Sequence, residues 1–84
     1  MKIKNVLLSS KFKRSFAKLS PDIQLETLKK KSIFQKNPFS PQLKTHKLKG
    51  KHSNKWSFSI TWSYRIVFVF KSDKEVLFYD IGDH

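Results

Sequence analysis

The 84-residue chain is predicted to fold as an α+β domain: an N-terminal helical hairpin packed on a small, twisted, mainly antiparallel sheet, in the order β-α-α-β-β-β. Three observations predict it. Helical periodicity and capping signals are confined to residues 9–35. Strand-like alternation fills the C-terminal half and is cleanest over 56–70. The links between those strand segments are short, which suits antiparallel neighbours, whereas parallel strands need long crossovers. The length fits one domain over residues 1–84.

Each element has a local reason. Residues 2–8 turn apolar at Val6-Leu7-Leu8 and read as a short strand. Ser9 or Ser10 caps a helix over 11–18, in which Phe12, Phe16 and Leu19 share one stripe. Ser20-Pro21-Asp22 restarts the chain, with Ser20 as N-cap, Pro21 in the first turn, and Asp22 and Glu26 near the positive end of the dipole. This second helix runs to about Gln35, with Ile23, Leu25, Leu28, Ile33 and Phe34 as its apolar face and Lys29-Lys30-Lys31 as a solvated basic stretch. Asn37-Pro-Phe-Ser-Pro41 is a loop by its prolines.

Strand signals follow at 43–49, 56–62, 64–70 and 75–81. Trp56, Phe58, Ile60 and Trp62 share one face of their strand, opposite Ser57, Ser59 and Thr61. Tyr64, Ile66, Phe68 and Phe70 alternate with Arg65, Val67 and Val69. The helices are expected to cover the aromatic face. The other face would then be a floor of Ser57, Ser59, Thr61 and Arg65, either a bed for an extended polyanion or the ordinary solvated face of an antiparallel sheet.

Charge restricts the function further. Residues 27–72 contain ten lysines, one arginine and no acid, so 46 consecutive residues carry +11. A surface so one-sided attracts polyanions, and nucleic-acid phosphate is the commonest candidate. An acidic protein partner is the competing reading. A chain this short buries only about 60% of its unfolded surface, so its eight Phe, two Trp and two Tyr must make a dense core. The chain has no cysteine, which suits a reducing cytosol, and its three histidines form no zinc-spaced cluster. No glycine-rich phosphate loop, signal peptide or membrane span is read, so neither a metal, a small-molecule cofactor nor a membrane is expected.

Four segments carry candidate chemistry. Thr45-His46-Lys47-Leu48-Lys49-Gly50 sets an imidazole among Lys44, Lys47 and Lys49, although His46 shares strand parity with Leu48 and could be structural. Lys51-His52-Ser53-Asn54-Lys55 is a polar loop whose Lys51 and Lys55 suit phosphate contacts, with His52 read as a surface residue. Arg65 is the single arginine of the sheet region; its fork suits a phosphate that gains charge, or it pairs with Asp80 or Asp83. In Ile81-Gly82-Asp83-His84, a histidine follows directly on a strand, after a glycine that permits a bend.

In order along the chain these segments read H-K-L-x-G, W-S-F-S-I, Y-R-I-x-F and D-I-G-D-H. The pattern resembles the RelE/ParE superfamily of bacterial toxins, and within it the YafQ-like ribosome-dependent mRNA interferases, over nearly the whole chain. The resemblance implies a toxin that cleaves mRNA in the ribosomal A site, against ribosomal RNA, and is neutralised by an acidic antitoxin. It implies that His46 is the histidine of the H-x-L-x-G strand, that Arg65 contacts the scissile phosphate, and that His84 fills a catalytic position. His46 and His84 would be acid and base, in an order the pattern leaves open, and Lys47 and Lys49 would assist Arg65. The sequence departs from the family in having Ser57, Ser59 and Thr61 where some members place cations, and in ending before the base-stacking aromatic of many members. Two other functions stay open: a gyrase poison of the ParE kind, and a non-catalytic relative that only binds antitoxin or RNA.

Overall fold

A computed structural model describes residues 1–50 and 54–83. The strands are β1 (Asn5–Leu8), β2 (His46–Lys47), β3 (Trp56–Ser59), β4 (Tyr64–Phe70) and β5 (Glu75–Asp83). The helices are α1 (Ser10–Ala17) and α2 (Pro21–Lys36), and a 3₁₀ turn spans Pro41–Leu43. The sheet order is β1-β5-β4-β3-β2, parallel between β1 and β5 and antiparallel elsewhere. The α+β architecture is thus the expected one, with five strands because the 43–49 segment adds a two-residue edge strand.

Ser9 caps α1: its Oγ accepts the Phe12 N–H at 2.9 Å and donates to the Tyr79 carbonyl at 2.6 Å, tying the helix start to β5. Pro21 opens α2 after Ser20, which sits in cap position without a side-chain cap bond. The Gln24 side chain donates to the Phe16 carbonyl and fastens the hairpin.

The buried face of α2 differs from the expected one. Leu25 and Leu28 are exposed, and Thr27 and Phe34 are buried. Ile23, Thr27, Lys30 and Phe34 follow the helical repeat onto the sheet side. Thr27 tolerates burial because its hydroxyl donates to the Ile23 carbonyl at 2.7 Å. Lys30 is turned inward as well, donating to Glu26 and to the Ile60 carbonyl, so the three consecutive lysines are not one solvated stretch.

Phe34 is the centre of the core. Its ring lies 4.5 Å from Phe58, 4.9 Å from Phe68 and 5.6 Å from Phe78, centroid to centroid. Ile3, Phe12, Leu43, Ile60, Ile66, Val76 and Ile81 complete it. A second aromatic group joins Phe39, Trp56 and Phe70.

Two local irregularities alter the expected faces. The β4–β5 register shifts after Val67, which pairs with Asp80 while Phe68 pairs with Phe78, leaving Tyr79 as the extra residue of a bulge. Burial therefore runs Val76, Phe78, Ile81, and Asp80 joins the open face. The strand from 56 ends at Ser59, and residues 60–63 form a tight turn closed by the Ile60 N–H on the Tyr64 carbonyl at 2.8 Å. Trp62 is consequently 90% exposed instead of joining Trp56. Gly82 lies inside β5, which runs on to Asp83 with no bend and no left-handed backbone at that position.

Candidate nucleic-acid interface

Directly paired residues of antiparallel strands point to the same face, so the register assembles the face opposite Phe58, Ile66 and Phe68. His46 pairs with Ser57, Ser57 with Val67, and Val67 with Asp80. Ser59 pairs with Arg65, and Arg65 with Gly82. Arg65 and His46 thus share the open face, two strand spacings across the sheet and two residues along it, or about 12 Å apart. Ser57 is on this face but is only 1% exposed, so the expected open serine floor is interrupted there.

Two depressions divide the surface. The smaller, about 170 Å³, is walled by Lys11, Leu48, Lys55, Arg65, Tyr79 and Asp80. Tyr79 carries two ammonium groups against its ring, Lys55 at 4.7 Å and Lys11 at 5.3 Å from the centroid. Asp80 does not pair with Arg65. Its Oδ1 accepts the Ser15 hydroxyl and the Ile81 N–H, each at 2.9 Å, and its Oδ2 lies 3.6 Å from Lys11. Among the described residues Arg65 makes neither an ion pair nor a side-chain hydrogen bond, so its fork is unoccupied.

The larger depression, about 540 Å³, holds His46, Lys44, Lys30, Gln42 and Trp62. The His46 Nδ1 lies 3.1 Å from the Lys44 carbonyl. A carbonyl only accepts, so Nδ1 is the donor in this contact and Nε2 stays outside it. Lys44 makes this possible through a left-handed backbone at φ 52°.

Of the expected site residues, Arg65 and Lys55 come together in the smaller depression and His46 and Lys44 in the larger. Lys47 pairs with Trp56 and so belongs to the opposite face from His46 and Arg65. Lys49 is exposed beyond β2. Lys51, His52 and His84 lie outside the described residues; β5 brings Gly82 opposite Arg65 and Asp83 opposite Tyr64. Sequence reasoning missed Lys11, Tyr79 and Trp62. The irregular spacing Val76, Phe78, Ile81 was the available signal for the bulge that lifts Tyr79 and Asp80 out. Among the described residues no three His, Cys, Asp or Glu side chains gather as a metal site. No helix there is long and apolar enough to cross a membrane.

No protein-family model and no curated protein matches the sequence. Solved structures do match its backbone. The YoeB/ParE toxin from Agrobacterium tumefaciens superposes with a TM-score of 0.80 at 16% identity, covering 96% of this chain and 99% of that one. The chain has the RelE/ParE toxin fold. An archaeal RelE from a RelE–RelB complex of Pyrococcus horikoshii gives a TM-score of 0.75 at 15% identity, over 99% of this chain and 96% of that one. YafQ from E. coli gives 0.71 at 16% identity, over 94% and 91%. Near-complete coverage at such identities means that the RelE/ParE backbone is kept while most side chains differ, so function has to be argued from the site itself.

Proposed function

We propose that this protein is the toxin of a type II toxin–antitoxin system and acts as a ribosome-dependent, metal-independent mRNA endoribonuclease. The observation that carries the proposal is Arg65: an arginine near the start of β4, beside Lys11 and Lys55 in a shared depression, with the acid on its own face, Asp80, already engaged by Ser15 and Lys11. The RelE/ParE fold supports the same reading. A guanidinium that is unpaired among the described residues in such a place suits a phosphate.

In this mechanism a base removes the proton of a ribose 2′-hydroxyl. The freed oxygen attacks the adjacent phosphorus, the bond to the 5′ oxygen breaks, and that oxygen takes a proton from the acid. The products are a 2′,3′-cyclic phosphate and a 5′-hydroxyl. The His46 Nε2 is suited to proton transfer because Nδ1 is held by the Lys44 carbonyl. His84 is the partner in acid–base work. Arg65 stabilises the charge of the phosphorane, and Lys44, Lys47, Lys49, Lys51 and Lys55 draw in mRNA and ribosomal RNA. The partners are mRNA in the ribosomal A site and an acidic antitoxin, in the cytoplasm. Replacing both His46 and His84 by Ala is expected to abolish cleavage of a translated mRNA while ribosome binding persists. Cleavage by the double variant would refute the assignment.

A second reading, a relative that binds its antitoxin or RNA without cutting, draws support from the separation of His46 and Arg65 into different depressions. Intact mRNA, normal growth and a tight complex with an acidic partner would mark it.

A further inference from the structure

We propose that Trp62 is a nucleobase platform: a base of single-stranded RNA stacks on its indole while the adjoining sugar–phosphate enters the depression lined by Lys44, His46 and Gln42. The inference rests on the RNA reading above for the identity of the polymer, and it needs no cleavage.

The first support is exposure. Trp62 is 90% exposed, although a tryptophan is the side chain with most to gain from being covered. The second is its mounting. Thr61 Oγ1 accepts the Ser63 N–H at 3.3 Å and the Tyr64 N–H at 3.1 Å, and the Thr61 N–H donates to the Tyr64 carbonyl at 3.3 Å. These bonds fix the backbone on both sides of the indole, so little ordering is needed when a ligand arrives. The third is what lies beside it. The depression holds an ammonium from Lys44, an amide from Gln42 and the imidazole of His46, groups that suit phosphate, hydroxyl and base edges. The Lys30 ammonium in the same wall is already engaged by Glu26 and the Ile60 carbonyl. Lys44 is therefore the cation available there, and among the described residues no ion pair occupies it. An aromatic face beside a cationic groove is the arrangement that binds single strands, with stacking giving contact and the cation tracking the backbone. A base on Trp62 would also bring its ribose to the depression that holds His46.

The chain has two tryptophans, so a Trp56→Phe protein reports Trp62 alone. That variant is titrated with a short 2′-O-methyl oligoadenylate, which a 2′-hydroxyl nuclease cannot cut, and with poly-glutamate at matched ionic strength. Saturable quenching by the oligonucleotide is expected, with none from poly-glutamate. Trp62→Ala should weaken oligonucleotide binding about 5- to 100-fold, and Trp62→Phe should retain most of the affinity. Absence of quenching, unchanged affinity in Trp62→Ala, or equal quenching by poly-glutamate would overturn the inference, the last in favour of an acidic protein contact. Because the probe is not cleaved, quenching with no mRNA cleavage would sink the nuclease reading and leave the platform standing.

Discussion

Arg65 faces Gly82 across the β4–β5 ladder, with Ser59 as its partner on the other flank. The arginine is thus bordered by two of the smallest side chains. Gly82 does not serve the backbone, since it is not left-handed and a Cβ built there meets open space. Under the proposed function, the room beside the guanidinium would admit a phosphate. Arg65→Lys keeps charge but loses the planar fork, so mRNA cleavage should fall nearly as far as in Arg65→Ala. Gly82→Val should also reduce cleavage by narrowing the approach. All three variants should hold their unfolding free energy to within about 1 kcal/mol, because Arg65 has no partner to lose among the described residues. Cleavage rates and urea midpoints measured on the same preparations check this.

Phe34 touches Phe58, Phe68 and Phe78 and is wholly buried. Phe34→Ala is expected to cost about 3–5 kcal/mol, a large part of the roughly 5–15 kcal/mol available to a small domain. Urea denaturation should show a strongly lowered midpoint or an unfolded protein. A shift under about 1 kcal/mol would mean that the aromatic centre is not where the structure puts it.

Asp80 holds α1 to β5 by accepting the Ser15 hydroxyl, and it also accepts the Ile81 N–H within β5. Asp80→Ala should destabilise by about 1–3 kcal/mol, the range for hydrogen bonds to a charged group. Lys11→Ala should cost well under 1 kcal/mol, since its 3.6 Å pair with Asp80 is largely solvent-screened. Equal losses in the two variants would contradict this ordering.

The Lys30 hydrogen bond, and next its charge, hold the Glu26 carboxyl below its ordinary value of 4.5. A carboxyl lowered on folding stabilises the native state above its unfolded pKa, and that contribution disappears as pH falls through the folded value. The stability difference between the native chain and Glu26→Gln should therefore be present at neutral pH and close below about 4.5. Chemical melts of both proteins across the acid range test the sign.

Much of this arrangement was legible in the sequence. Ser9-Ser10 and Pro21 marked the helix starts, and the alternation around Phe58, Ile66 and Phe68 assigned the core face of the central strands. Three features were not legible for identifiable reasons. The helix α2 contains more apolar residues than it buries, so only the sheet could choose Thr27 and Phe34 over Leu25 and Leu28. The bulge at Tyr79 inverts parity midway along β5, which a period-two pattern does not anticipate. The Thr61–Ser63 turn shortens β3 and turns Trp62 out. In the site, Arg65 could be singled out from its type and strand position, but the engagement of Asp80 elsewhere depends on Ser15 and Lys11, a contact 65 residues distant in sequence for Ser15.

The most direct test of the central claim is induced expression of the chain in a bacterium, with primer extension on an abundant translated mRNA. The account predicts discrete in-frame cuts that vanish when translation initiation is blocked and when Arg65 is replaced by Ala. Intact mRNA with normal growth would contradict it in favour of a partner-binding relative, and growth arrest with intact mRNA would contradict it in favour of a gyrase poison.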